Sequence, residues 1–210
     1  MEIKNIKINF LGDSITQGVG SSDESNASFV ALMQKKYEVV ARNYGIGGTR
    51  IARKVTPSEN PQCDLDFCGR FAEMDDDADM IFVFGGTNDF GSGDAPLGKP
   101  TDRTPYTFYG ALHTLYIGLI NKYPASKICI ITPLHRLIEE NKNGKLIDFV
   151  NAIREVAEFY SLPVLDLYAN FGINPQVPVM KENYMPDGLH PNDTCYEMLA
   201  EKIAAFLRNM

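Results

Sequence analysis

Five short apolar runs separated by helical patterns constrain the fold of this chain more than any other feature of its sequence. They span residues 6–11, 38–41, 80–84, 128–131 and 164–167. Near-continuous β-branched and aromatic runs of this length read as strands buried on both faces. Between them, residues 29–37, 108–123 and 146–160 carry apolar side chains at helical spacing. The third does so at Ile147, Val150, Ile153, Val156 and Ala157. Residues 196–207 close the chain in the same way. Strand alternating with helix predicts an α/β fold, a parallel sheet with helices on both faces.

A chain of 210 residues with 44% hydrophobic and 22% charged side chains supports one core, so a single domain over 1–210 is expected. The formal charge of −7 argues against nucleic-acid partners, which require a basic surface. The acidic run from Asp75 to Asp79 reads as a solvated turn ahead of the third strand. No apolar run has the length of a signal peptide, and none reaches the roughly 18 residues of a membrane span; a cytoplasmic location is the default expectation. Oligomeric state is left open. Cys63, Cys68, Cys129 and Cys195 form no C-x-x-C pair and read as reduced bystanders, Cys129 within the core. No histidine, cysteine and carboxylate cluster has metal-ligand spacing, so neither metal nor cofactor is expected.

Three irregular stretches are long: 49–66, 91–107 and 171–190. Loops beyond about 12–15 residues in a compact domain are usually functional or disordered. In open parallel sheets, ligands bind beyond the carboxyl ends of the strands. The first strand runs into Gly12-Asp13-Ser14, the second into residues 43–48, and the third into Gly85-Gly86-Thr87-Asn88-Asp89. These three motifs therefore share one sheet edge. Asp187-Gly188-Leu189-His190-Pro191 lies in the last long loop and must reach that edge to join them.

The four motifs are chemically complementary. A serine hydroxyl is a weak nucleophile without an adjacent base. Histidine can take its proton and return it, provided an acceptor fixes the imidazole tautomer. Asp187, three residues before His190, is placed on the same side of one turn. Glycines and an asparagine supply donors for a developing oxyanion. Gly12 would permit a sharp turn exposing the Ser14 hydroxyl.

On these residues the chain resembles the GDSL, or SGNH, hydrolases, named for a serine, glycine, asparagine and histidine from four sequence blocks. Gly12-Asp13-Ser14 is similar to the nucleophile block, with Ile15 where the family name has leucine. Residues 43–49 resemble the second block, whose glycine matches Gly48, with Gly47 beside it as the alternative. Gly85 to Asp89 resembles the third, with Asn88 as its asparagine, and Asp187 to Pro191 the fourth. The resemblance implies a three-layer αβα sandwich on a five-stranded parallel sheet of flavodoxin-like order 2-1-3-4-5. It implies hydrolysis of an ester or thioester without a metal. Ser14 would be the nucleophile, His190 the base and Asp187 its orienting acid. The backbone amides of Ser14 and Gly48 and the Asn88 side chain would hold the oxyanion.

Candidate substrate contacts are Gly47, Tyr106 in the loop after Asn88, His135 just past the fourth strand, and Asp13, for which bracing the turn is the favoured role. The 91–107 loop should wall the site. Its Asp94, Lys99, Asp102, Arg103 and Tyr106 lean towards a short acyl group, such as acetyl, on a sugar or other polar alcohol. A lysophospholipid or a thioester is the alternative. His113 reads as a packing residue; Arg70 and Arg136 could bind a carboxylate or phosphate, but surface or ion-pair residues are the favoured reading. Competing classes are a binding module without turnover and a nucleotide or flavin carrier. Residues 45–50 fail the dinucleotide fingerprint, because its third glycine would fall at Arg50.

Overall fold

A computed structural model describes residues 2–210. Its central sheet comprises β1 (Lys7–Gly12), β2 (Val40–Gly45), β3 (Met80–Phe84), β4 (Lys127–Ile131) and β5 (Val164–Leu165). All four pairings are parallel, and the order is β2-β1-β3-β4-β5. This is the expected α/β arrangement. A small antiparallel ladder, Glu140–Asn141 with Gly144–Lys145, stands apart from the sheet.

Alternation along β3 divides the core in two. Ile81 and Val83 face one helical layer, formed by α4 (Phe108–Lys122) and α5 (Leu146–Phe159). Met80, Phe82 and Phe84 face the other, formed by α2 (Phe29–Tyr37) and α6 (Asp193–Arg208). Phe10 stacks on Phe82 and meets Phe29 edge-on, both at 5.4 Å between ring centroids. Each fully buried aromatic or aliphatic side chain contributes roughly 1.5–3 kcal/mol relative to exposure, so these two clusters account for the sandwich. Among the described residues, no helix is long and apolar enough to cross a membrane.

The edge strands depart from the sequence reading. β2 starts and ends later than residues 38–41, and every one of its residues is partly or largely exposed. It has a neighbour on one side only, so polar Arg42 and Asn43 can occupy it. β5 stops at Leu165, where Asp166 caps the short helix Leu167–Asn170 by accepting from the Ala169 N–H. The acidic run is a solvated turn, as expected, and its exposed carboxylates form surface ion pairs. Asp77 pairs with Lys7 and Arg42, Asp75 with Arg42, and Asp76 with Lys122. The Asp79 carboxylate accepts the Lys7 N–H at 2.8 Å, completing the start of β1. His113 is buried between the Tyr160 hydroxyl and the Pro100 carbonyl, each at 3.0 Å, as a packing residue would be. Cys129 and Cys195 are buried and Cys63 and Cys68 half-buried, all as free thiols.

Candidate active site

Ser14 opens α1 (Ser14–Gln17) directly beyond the carboxyl end of β1. Asp13 caps this helix by accepting the Ile15 N–H at 3.0 Å. Gly12 has no unusual backbone angle, so the reason for a glycine there is different from the expected one. A Cβ at this position would overlap the Thr16 side chain and press on the Phe84 carbonyl of β3. Close packing of α1 against the strand end, not a strained turn, demands it.

His190 arrives from the far end of the chain, on the turn that precedes α6. Its Nε2 lies 3.0 Å from Ser14 Oγ, and its Nδ1 lies 2.6 Å from Asp187 Oδ2. The other Asp187 oxygen accepts the N–H groups of Leu189 and His190, at 2.8 and 2.7 Å. Burial raises the proton affinity of this carboxyl, but hydrogen bonds from His190 and Leu189 outweigh it and hold the group below the ordinary aspartate value. Asp187 is therefore ionised at neutral pH and can fix the tautomer that leaves Nε2 free to accept from Ser14.

The loop after β2 lies beside Ser14. A Cβ on Gly47 would stand 3.7 Å from that of Ser14. The Gly47 N–H is already donated to Gln17 Oε1 at 2.7 Å, while none of the described residues accepts the N–H of Gly48 or of Ser14. Of the two adjacent glycines, Gly48 is thus the one with a donor to offer. Its φ of +77°, in the left-handed region, favours glycine, and a Cβ there would stand 2.7 Å from Cys63 Sγ. Asn88, in α3 (Thr87–Ser92), donates one Nδ2 hydrogen to the Thr49 carbonyl at 3.0 Å. The second hydrogen of that amide has no partner among the described residues. Ser14, Gly48 and Asn88 are linked through Gly47 and Thr49 into one neighbourhood that presents three unused donors.

Two buried carboxylates support it. Asp89 accepts the N–H groups of Ile51 and Ala52 at 3.0 and 2.8 Å, anchoring the loop beyond Gly48 to α3. Burial pushes Asp89 up to about 6 and Asp13 up to about 7, the latter helped by the charge of Asp89 and opposed by the Ile15 N–H and by Arg70. At 2% exposure Asp13 lies under α1 and caps it, in keeping with the bracing role favoured for it.

Sequence reasoning misplaced Arg70. It is neither at the surface nor in an ion pair: it is 8% exposed, and all four hydrogen bonds of its guanidinium go to neutral oxygens. These are the carbonyls of Gly12, Tyr44 and Leu65 and the Thr49 hydroxyl. Arg70 thereby joins the end of β1, two residues before Ser14, to the loop that carries Gly48. Burial lowers it to about 10, against the pull of Asp13, Asp66 and Glu73. An arginine near the end of a short helical segment carries no local signal of such a role. Arg136 is also without an ion pair; it is half-buried and donates to the Thr87 carbonyl at 3.0 Å.

Two of the expected substrate contacts engage neighbouring side chains. Tyr106 is half-exposed and engages Arg53, itself paired with Asp66. His135 stacks on Tyr168 with 4.0 Å between ring centroids and binds Glu139 at 2.7 Å. The polar side chains of the 91–107 loop serve the loop and its neighbours. Asp94 accepts from Val55 and Thr56 N–H, Asp102 braces Lys99 and Thr107, and Arg103 binds nearby carbonyls. A groove of about 520 Å³ opens beside Arg70, lined by Tyr44, Ile46, Asp64 and Leu65 among others, but not by Ser14, Asn88 or His190. Hydrogen-bond geometry, rather than concavity, marks the reacting centre.

Comparison with known proteins identifies the family and the fold. Residues 10–198 match the model of the GDSL-like Lipase/Acylhydrolase family. A GDSL esterase/lipase of Arabidopsis thaliana is 27% identical over 221 residues, covering 96% of this chain and 86% of that protein. A crystal structure of a Lactobacillus plantarum protein is 29% identical, covers 99% of this chain and 98% of its own, and superposes with a TM-score of 0.84. That of a lipase/acylhydrolase from Enterococcus faecalis is 22% identical, covers 97% and 96%, and has a TM-score of 0.65, a likeness of fold.

Proposed function

This chain belongs to the GDSL-like lipase/acylhydrolase family and is a carboxylic ester hydrolase, and we propose that it works through an acyl-serine formed on Ser14. The observation that carries this reading is the unbroken chain from Ser14 Oγ through His190 to Asp187, at 3.0 and 2.6 Å. Ser14 Oγ attacks the ester carbonyl while His190 Nε2 takes its proton. The carbonyl oxygen becomes an oxyanion, held by the Ser14 and Gly48 N–H groups and the free Asn88 hydrogen. As the C–O bond breaks, His190 returns the proton to the departing alcohol. A water then attacks the acyl-serine as it gives a proton to His190; when the bond to Ser14 Oγ breaks, His190 returns that proton to Oγ, and the acid leaves.

The substrate we favour carries a short acyl group on a polar alcohol. The Arg136 guanidinium beside Thr87 supports it, whereas polar groups of the 91–107 loop are engaged by that loop and its neighbours. A longer acyl chain, as in a lysophospholipid, is the second reading. It is favoured by exposed Leu137 and Ile138 beside the His190 turn, where the Leu137 N–H binds the Gly188 carbonyl at 2.8 Å.

The test is release of nitrophenol from aryl esters of two to twelve acyl carbons by the purified protein. Turnover should be highest at the short end; a rate that climbs with chain length would select the second reading. Ser14→Ala should abolish turnover with the fold intact by circular dichroism, and a serine-directed phosphonate should label Ser14. Substantial turnover by the Ser14→Ala protein would remove the acyl-serine mechanism.

A further inference from the structure

Arg136 stands where three parts of the site meet. Its Nη1 donates to the Thr87 carbonyl at 3.0 Å and to the Thr87 hydroxyl at 3.2 Å, immediately before Asn88. The guanidinium lies over the Phe90 ring, 5.4 Å from its centroid. The space it fills exists because residue 91 is glycine: a Cβ there would stand 2.7 Å from Nη1. On its other side the chain is tied to the His190 turn, through the Leu137 N–H on the Gly188 carbonyl. The side chain is thus anchored by one nitrogen, stacked on a ring and pinned at its backbone.

Its remaining donors are unused. Among the described residues, no acceptor takes the hydrogens of its Nε or Nη2, and no carboxylate pairs with it. The carboxylates whose charge it feels are Glu139, Asp13 and Asp187. Each is committed elsewhere. Glu139 accepts from His135, from the Tyr168 hydroxyl and from the Arg136 N–H; Asp187 serves His190; Asp13 is buried under α1. Neither nitrogen is among the buried unpartnered atoms of the described residues, so both open to solvent, where an incoming anion can reach them. An arginine also presents two parallel N–H groups, a geometry that suits a carboxylate or phosphate.

We propose that Arg136 is a specificity-determining residue that binds an anionic group on the substrate, so that the preferred esters carry a carboxylate or phosphate close to the scissile bond. This rests on the Ser14 ester-hydrolase reading and narrows its substrate class. The anion pairs with Nε and Nη2 while Nη1 keeps its hold on Thr87. The charge thereby selects the substrate next to Asn88 without entering the proton path between Ser14 and His190.

The test compares kcat/KM for matched anionic and neutral esters on the purified full chain. One pair places the charge on the acyl side, mono-4-nitrophenyl glutarate against 4-nitrophenyl valerate. The other places it on the alcohol side, 4-acetoxybenzoate against phenyl acetate. The wild-type protein should favour the anionic member of one pair by about tenfold or more, and the pair that responds identifies the side that carries the charge. Arg136→Gln should reduce that anionic-to-neutral ratio by about ten- to a hundredfold, and Arg136→Lys should retain part of it. A purely structural role would lower both rates together and leave the ratio unchanged. Wild-type preference for the neutral member of both pairs, or a preference that survives in Arg136→Gln, overturns the inference while the ester-hydrolase reading stands. Failure to turn over any of the four esters overturns the reading beneath it.

Discussion

Ser14 is buried and its surroundings are held by distant residues, whereas His190 is half-buried on a turn that its near neighbour, the exposed Asp187, closes. Ser14 is 8% exposed, and its surroundings are fixed by Arg70, Asp89 and Gln17, which bring together segments far apart in the chain. The side chain of Asp187 is 56% exposed, and one of its oxygens closes a turn of three residues. The proposed oxyanion half is therefore preorganised by the fold, while the proposed proton half is a local turn that the fold needs only to deliver. Electrostatic preorganisation depends on donors that do not move as charge develops, which is what the buried half supplies.

Removing the base should have the largest effect. His190→Ala should lower kcat by roughly 10⁴–10⁶, measured on a short-chain aryl ester, and leave the melting temperature near that of wild type because the turn is local. A large loss of stability would mean that the His190 turn is as integrated into the fold as the buried half.

Asn88→Ala follows. The free amide hydrogen gains strength only when the carbonyl becomes an oxyanion, so kcat should fall by about 10²–10³ with KM little changed, roughly 3–4 kcal/mol of transition-state stabilisation. The other hydrogen ties α3 to Thr49, so a stability loss of about 1 kcal/mol should accompany it. Loss of stability with kcat within a few fold of wild type would reduce Asn88 to a tether.

The two halves should also differ in their response to pH. Burial raises Asp13 to about 7 in the folded protein, from an ordinary value of 3.8. The folded state then binds this proton more tightly than the unfolded chain, so the stabilisation is fully present below about pH 4 and lost as pH rises through about 7. Asp13→Asn keeps an acceptor at the N-cap without the charge. Its melting temperature should match wild type near pH 4 and exceed it by several degrees at pH 8, on the order of 2–3 kcal/mol. Asp187 is shifted the other way, so its stabilisation is present above about pH 4 and lost on acidification. Asp187→Asn should therefore change the slope of stability only in acid. A difference between Asp13→Asn and wild type that is constant from pH 4 to pH 8 would contradict the assignment.

Arg70→Lys is the smallest of the set. A lysine keeps the charge but cannot reach four acceptors held in a fixed fork. We expect kcat to fall roughly tenfold with KM little changed, since the Ser14 and Gly48 donors lose their common support. A rise in KM at unchanged kcat would place Arg70 in substrate binding instead.

The sequence by itself determined the layered architecture and pointed to Ser14, Asn88, Asp187 and His190, the residues of the proposed site. Strands β1, β3 and β4 are legible because a strand buried on both faces must be apolar throughout, and α5 is legible because its spacing is helical. The order Gly12-Asp13-Ser14, Gly85 to Asn88 and Asp187 to His190 is legible because each motif follows a strand or closes a turn within a few residues. Only the tertiary structure decided which glycine offers its N–H. That depends on Gln17, thirty positions earlier, occupying Gly47. It also decided that Arg70 joins two strand ends, that Arg136 keeps free donors, and that Tyr106 and His135 are engaged elsewhere. Periodicity and turn chemistry act over a few residues and leave a pattern in the sequence. Hydrogen-bond satisfaction in the interior is settled among groups that meet only after folding, and a single arginine or glycine looks the same in the sequence whether its donors are used or free.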